Sequence, residues 1–312
     1  MKRILFLASL FLLTFSQGLA LDPGEFTAEL NGLRLWYKVS GSGPVCLMPN
    51  PAWGPSSDCY FMTLEELEKT MTMVYLDCRG TGRSQRAAKP TDYTWDHLIG
   101  DLDALREHLG QEKVWLAGHS EAGSLALRYA CRHPDRVSGL LVINGFGGFD
   151  PELTGELEDR WEARRSDPAF LEAEKSMSMV PRSDAELKDR MFQGMPIFWS
   201  DLSKAAAFQH VFEATSFSLE AWQAQGASGR GGRNYSMRDC LGKIEAPALV
   251  VVGEDDITCS PVVAKHIHFF LKNSKLLLIE NAGHFPWMEQ PKVFFTDVTF
   301  FLKQHLGSAA QN

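Results

Sequence analysis

The residues best able to do chemistry are a serine, a histidine and a carboxylate on separate segments. Val114-Trp115-Leu116-Ala117-Gly118-His119-Ser120-Glu121-Ala122-Gly123 runs from an apolar stretch through small-x-Ser-x-small into a helical pattern. A serine on so sharp a strand-to-helix turn stands exposed above a sheet, and its neighbours must be small for the chain to turn. The helix start that follows offers N–H groups to a developing negative charge. A helix-capping serine is the simpler reading, but the placement between strand and helix favours Ser120 as a nucleophile. Ala122 stands where the pattern usually has its second glycine, and it is still small.

Such a serine needs a base, and the chain has 9 histidines. His266 and His268 are two apart on an expected helix, so they do not face one point and make no metal pair. His97, His108, His133 and His305 lie on or beside amphipathic stretches, and His119 is expected to pack beside the turn. His284, in Asn281-Ala282-Gly283-His284, follows a short strand and precedes a helix, where a loop can present its imidazole to Ser120. The base in turn needs an orienting carboxylate. Glu254, Asp255 and Asp256 follow the apolar run Ala248 to Val252, and one of them can serve. The chain order serine, acid, histidine is that of acyl transfer on an open α/β sheet.

The elements that position these groups read as alternating strands and helices. Expected strands are Leu33 to Val39, Val45 to Met48, Met71 to Leu76, Val114 to Ala117, Val137 to Ile143, Ala248 to Val252 and Lys275 to Ile279. Expected helices include the Leu98, Leu102, Leu105, Leu109 stripe, capped by Thr94 and ended by Gly110. Others are Glu121 to Arg132, Pro261 to Leu271 and Pro291 to His305. This alternation implies a mostly parallel sheet with helices on both faces. Residues 147–238 break the rhythm. They are helical in composition and rich in methionine and aromatic residues, including Trp199, Phe212 and Trp222, and read as an inserted helical cap whose underside shapes a pocket. The core is then residues 21–146 and 239–312.

The chain has 312 residues, 45% of them hydrophobic and 22% charged, with a formal net charge of -8. Disorder and a multi-span membrane protein are excluded by that balance. With no basic cluster, nucleic acid is not an expected partner. Lys2 and Arg3, the apolar run Ile4 to Phe15 and Gly18-Leu19-Ala20 have the layout of a secretory signal peptide over residues 1–20. Export to a periplasmic or extracellular space follows, with no stable membrane insertion once the signal is cleaved. The 6 cysteines permit disulfides but match no zinc spacing.

Across residues 25–306 the chain resembles the α/β-hydrolase superfamily, and within it the proline iminopeptidase-like serine hydrolases. Asp77-Cys78-Arg79-Gly80-Thr81-Gly82-Arg83-Ser84 looks like the family's D-x-R-G-x-G-x-S turn, and Gly118 to Gly123 like its nucleophile elbow. Gly253-Glu254-Asp255-Asp256 looks like its acid loop, a match that selects Asp256. Gly283-His284 through Glu289-Gln290-Pro291 looks like its histidine loop. The resemblance implies an α/β-hydrolase fold with an inserted helical cap, and Ser120, Asp256 and His284 as a triad. It also implies a substrate that is a short peptide or small molecule, and neither metal nor cofactor.

Two departures bear on the substrate. Where the family has His-Gly-Gly-Pro-Gly, this chain has Pro49-Asn50-Pro51-Ala52-Trp53-Gly54. Pro51 has no N–H, so the oxyanion donors expected are the amide of Ala52 or Trp53 together with that of Glu121. Family aminopeptidases hold the substrate's amino group with cap glutamates. Here Glu121 and Glu213 are the candidates, with Trp199 and Phe212 as apolar contacts; alternatively Glu121 pairs with Arg79 or Arg83. The expectation is an aminopeptidase on short peptides or amino-acid amides, followed by a carboxylesterase of small or aromatic esters. A non-catalytic ligand-binding homologue is the remaining alternative.

Overall fold

The computed structural model describes residues 21–148, 150–228, 230 and 235–306. The expected signal segment lies outside them. Eight strands form one sheet: β1 Gly24–Leu30, β2 Leu33–Gly41, β3 Val45–Pro49, β4 Thr72–Leu76, β5 Val114–His119, β6 Val137–Ile143, β7 Ala248–Gly253 and β8 Ser274–Ile279. Their order is β1-β2-β4-β3-β5-β6-β7-β8. β2 is antiparallel to both neighbours, and the pairs from β4 through β3, β5, β6 and β7 to β8 are parallel.

The central strands are buried along their whole length. Both faces are covered, which is why they read as unbroken apolar runs rather than alternating ones. On one face, Leu47, Val74, Leu116, Val142 and Val250 pack with Leu98, Leu102, Leu125 and Val263 of the helices Trp95–His108, Glu121–Arg132 and Pro261–Phe270. On the other, Met48, Tyr75, Trp115, Leu141 and Val251 pack with Tyr60, Trp287, Phe294 and Phe301, the last two on the helix Pro291–Leu306. Thr94 caps its helix as expected, its side chain accepting from the His97 N–H.

Between β6 and β7 the chain leaves the sheet and forms the helices Pro151–Arg164, Pro168–Ser178, Asp184–Gln193 and Leu219–Ala227, with shorter turns among them. This insertion is bonded to the sheet's loops at several points. Ser56 and Ser218 N–H donate to the carbonyls of Ser216 and Gly54, both at 2.9 Å, and His284 N–H donates to the Phe198 carbonyl at 2.7 Å. Near its end, Cys240 is disulfide-bonded to Cys131 of the core helix Glu121–Arg132. No helix of the described residues is long and apolar enough to cross a membrane.

Candidate active site

Ser120 directly follows β5 with φ 56° and ψ −124°, a left-handed conformation that a side chain adopts only when its surroundings impose it. The Ser120 N–H donates to the Ile143 carbonyl of β6 at 3.0 Å, and the Gly123 N–H donates back to the Ser120 carbonyl. Gly118 is required by this turn, since a Cβ there would lie 2.2 Å from the Ala122 carbonyl oxygen. Glu121 opens the following helix, where amides have no partner within the helix.

Asp256 follows β7 and is completely enclosed. Its Oδ2 faces His284 Nδ1 at 2.8 Å and accepts from Asn144 at 2.5 Å. Its Oδ1 accepts from Thr258 N–H at 2.8 Å, Thr258 Oγ1 at 2.7 Å and Cys259 N–H at 3.1 Å. Burial opposes its charge, but His284 and these donors outweigh that and hold its pKa well below the usual carboxylate range. His284 Nδ1 therefore carries the proton toward Asp256, leaving Nε2 as the free basic nitrogen. Asp256, Cys259 and His284 offer atoms within 4.8 Å of one another. The carboxylate is already saturated by protein donors, so this cluster suits an acid–base pair better than a metal.

His119 is buried between the turn and His284. Its Nε2 donates to the His284 carbonyl at 2.8 Å and its Nδ1 accepts from Tyr60 Oη at 3.1 Å. Burial, and then the neighbouring His284, push its pKa well below the ordinary value. Glu289 supports the same loop from below. Its Oε1 accepts from Gly283 N–H at 2.6 Å, and its Oε2 from Ser200 N–H at 2.9 Å and Asp201 N–H at 3.1 Å.

The D-x-R-G-x-G-x-S turn shapes the loop opposite. Asp77 accepts from Ser57 N–H and Oγ, each at 2.7 Å, and from Arg83 N–H and Nε, each at 2.8 Å. Asn50 accepts from Cys78 N–H at 2.7 Å and donates to Thr81 Oγ1 at 2.9 Å. The segment carrying Ala52 and Trp53 is thereby tied to the end of β4.

Ser120 and His284 open onto a cavity of about 330 Å³ between the strand ends and the insertion. Trp53 lines it from the core, and Met177, Met191, Met195, Phe198, Phe212, Phe217 and Trp222 from the insertion. Among the described lining residues none is Asp or Glu, and Arg190 is the one arginine or lysine.

The structure bonds Asp256 to His284 and places Ser120, His284, Phe212 and Trp53 on one cavity. It corrects three expected substrate contacts. Glu213 is exposed and bonded to Gln209 at 2.7 Å, because its helix turns that face to solvent. Trp199 is fully buried against Phe208, Phe212 and Phe285, and its neighbour Phe198 reaches the cavity instead. The Glu121 side chain is not on the cavity wall; it is paired at 2.7 Å with Arg230, whose side chain is buried, and accepts from Gln225 at 3.1 Å. Arg79 and Arg83 are engaged elsewhere, with Asp101 and with Asp58 and Asp77. Asn144, Thr258, Arg190 and Arg230 were not singled out from sequence, and Glu289 was named only as part of the histidine-loop motif, with no role. The Asn144-Gly145 step just beyond β6, with Asn144 at φ 44°, is the one local signal among them.

The family model for the alpha/beta hydrolase fold matches residues 50–291. A proline iminopeptidase of Saccharolobus solfataricus is 25% identical over 309 residues, covering 92% of this chain and 95% of that one. The proline iminopeptidase-related protein of Thermus thermophilus superposes with a TM-score of 0.70 at 20% identity, over 92% of this chain and 99% of that one. A thermophilic esterase of Thermogutta terrifontis superposes with a TM-score of 0.64 at 24% identity, over 90% and 99%. With an eight-stranded sheet of this order and a family match over most of its length, the chain belongs to the α/β-hydrolase fold family and is a hydrolase.

Proposed function

We propose that the protein is a serine carboxylesterase that cleaves small esters through an acyl-enzyme. The supporting observation is the cavity at Ser120, walled by aromatic and methionine side chains, with no carboxylate among its described lining residues to receive a substrate ammonium. Ser120 Oγ attacks the ester carbonyl while His284 Nε2 takes its proton. The oxyanion is received by the amide of Ala52 or Trp53 and by that of Glu121. His284 then returns the proton to the departing alcohol, and water repeats the sequence to release the acid. Asp256 keeps the imidazole in the required tautomer and stabilises its cation.

A second reading, an aminopeptidase on short peptides or amino-acid amides, is supported by the Saccharolobus solfataricus relative and by one atom. Glu121 Oε2 is buried with no hydrogen-bond partner, and although the side chain is off the cavity wall, a substrate ammonium that displaced Arg230 would suit it. Parallel turnover of p-nitrophenyl esters and of amino-acid p-nitroanilides, proline included, separates the two. The esterase reading expects ester turnover and no anilide turnover above that of Ser120→Ala; preferential anilide cleavage would reverse the order.

The chain is also proposed to be exported. Its N-terminal charge and apolar pattern support this, as does the Cys131–Cys240 disulfide, a bond that persists in oxidising compartments.

A further inference from the structure

Arg190, on the helix Asp184–Gln193, lines the cavity that holds Ser120 and His284. Its Nη2 donates to the Met177 carbonyl, and the ring of Trp222 lies 5.3 Å from the guanidinium carbon. Its Nε and Nη1 are shut off from solvent and donate to nothing. The acids of its own helix are not available to it. Asp184 accepts from Leu219 N–H, Glu186 is paired with Arg182, and Asp189 is exposed to solvent. Burial lowers the Arg190 pKa, with no anion to offset it. Those two donors are closed to the cavity as well as to bulk solvent, so what Arg190 offers a ligand is its place as the one described arginine or lysine on the cavity wall, where an apolar surround strengthens its field. Nε and Nη1 lie on different edges of the guanidinium, so a carboxylate beside it would gain the full positive charge and a single charge-assisted contact rather than a two-pronged one.

We propose that Arg190 is a specificity-determining residue that binds a free carboxylate on the substrate, so that the preferred esters are anionic half-esters rather than neutral ones. The apolar walls then hold the carbon skeleton between the carboxylate at Arg190 and the ester carbonyl at Ser120. This inference rests on the ester-hydrolase reading of the site.

Matched esters test it. p-Nitrophenyl hemiglutarate differs from p-nitrophenyl pentanoate by a carboxylate in place of a methyl group on the acyl side. 4-Acetoxybenzoate differs from 4-methylphenyl acetate in the same way on the leaving-group side. Arg190→Gln should lower the anionic-to-neutral ratio of kcat/KM by about 10- to 100-fold in at least one pair, the size of a charge-assisted contact. The pair affected shows which side of the ester carries the carboxylate. Arg190→Lys should retain part of the ratio, since an ammonium keeps the positive charge on a shorter-reaching, single-point donor. A ratio unchanged by Arg190→Gln in both pairs would overturn the proposal. Binding supplies an arm independent of turnover: titration of Ser120→Ala with 4-phenylbutyrate and with 4-phenylbutyramide. Preference for the carboxylate, lost on adding Arg190→Gln, supports the site even if no ester is hydrolysed. Equal binding of the two ligands before and after that change contradicts it.

Discussion

Ser120, Asp256 and His284 are each held by groups distant in sequence, and those partners explain which residues could be read in advance. The nucleophile lies inside a short motif whose small neighbours are demanded by its own turn. The glutamate beside it, Glu121, meets Arg230 at a separation of 109 residues, and no local pattern encodes that pairing. The pair gives a prediction. Arg230→Met leaves a largely buried carboxylate unpaired and should cost about 3–5 kcal/mol in urea unfolding. On the esterase reading, Glu121→Gln should lower turnover of free-amine aminoacyl esters, their N-acylated forms and simple esters equally. A selective loss of about 10- to 100-fold on free amines would instead put Glu121 on the substrate. His119 gives a second prediction. Its folded-state pKa lies below its ordinary value of 6.5, so folding favours its neutral form. Between those two values the unfolded chain binds more protons, and stability falls as pH drops below about 6.5, by up to about 1.4 kcal/mol per pH unit, and is level above it. His119→Gln preserves an acceptor and a donor but does not titrate, and should flatten that slope in denaturation curves taken between pH 5 and 7.

The strands and helices of the sheet were legible because burial on both faces leaves continuous apolar runs and the covering helices carry leucine stripes. β1 was not anticipated, although its Phe26, Ala28 and Leu30 alternate and Asn31-Gly32 has φ of 50° and 77°. That dipeptide is a strong hairpin signal; the exposed, charged positions of an edge strand diluted it. The insertion was legible as helical but not in its attachments. Rather than resting on the sheet as a separate lid, it is bonded to the loops bearing Ser56 and His284. Glu289 links the two parts, and as a positioning residue it yields a prediction. Glu289→Gln replaces one acceptor oxygen by an amide that cannot receive the backbone N–H groups. Loosening the histidine loop should lower kcat by about 10- to 100-fold with KM nearly unchanged. A rise in KM at constant kcat would show that Glu289 shapes binding rather than the loop.

At the scale of the molecule, the disulfide closes a loop spanning the insertion, with a sequence separation of 109 between Cys131 and Cys240. Neither cysteine stands in a motif, so the pairing among six was unreadable until the fold brought the short helix Arg238–Leu241 against Glu121–Arg132. Cys131→Ser with Cys240→Ser should cost about 2–5 kcal/mol, read as a lowered melting temperature that added reductant reproduces in the unaltered chain. Export predicts an N-terminus at Leu21 or within a few residues of it on protein recovered outside the cytoplasm; an intact Met1 on cytoplasmic protein would contradict it. The central claim is that one strained serine on this fold carries the chemistry, and covalent trapping tests it most directly. Incubation with a fluorophosphonate, followed by intact-mass and peptide mass spectrometry, should give a single adduct on Ser120. The adduct should be absent from Ser120→Ala and slowed by roughly three orders of magnitude or more in His284→Ala. An adduct on another residue, or undiminished ester turnover by Ser120→Ala, would contradict the account.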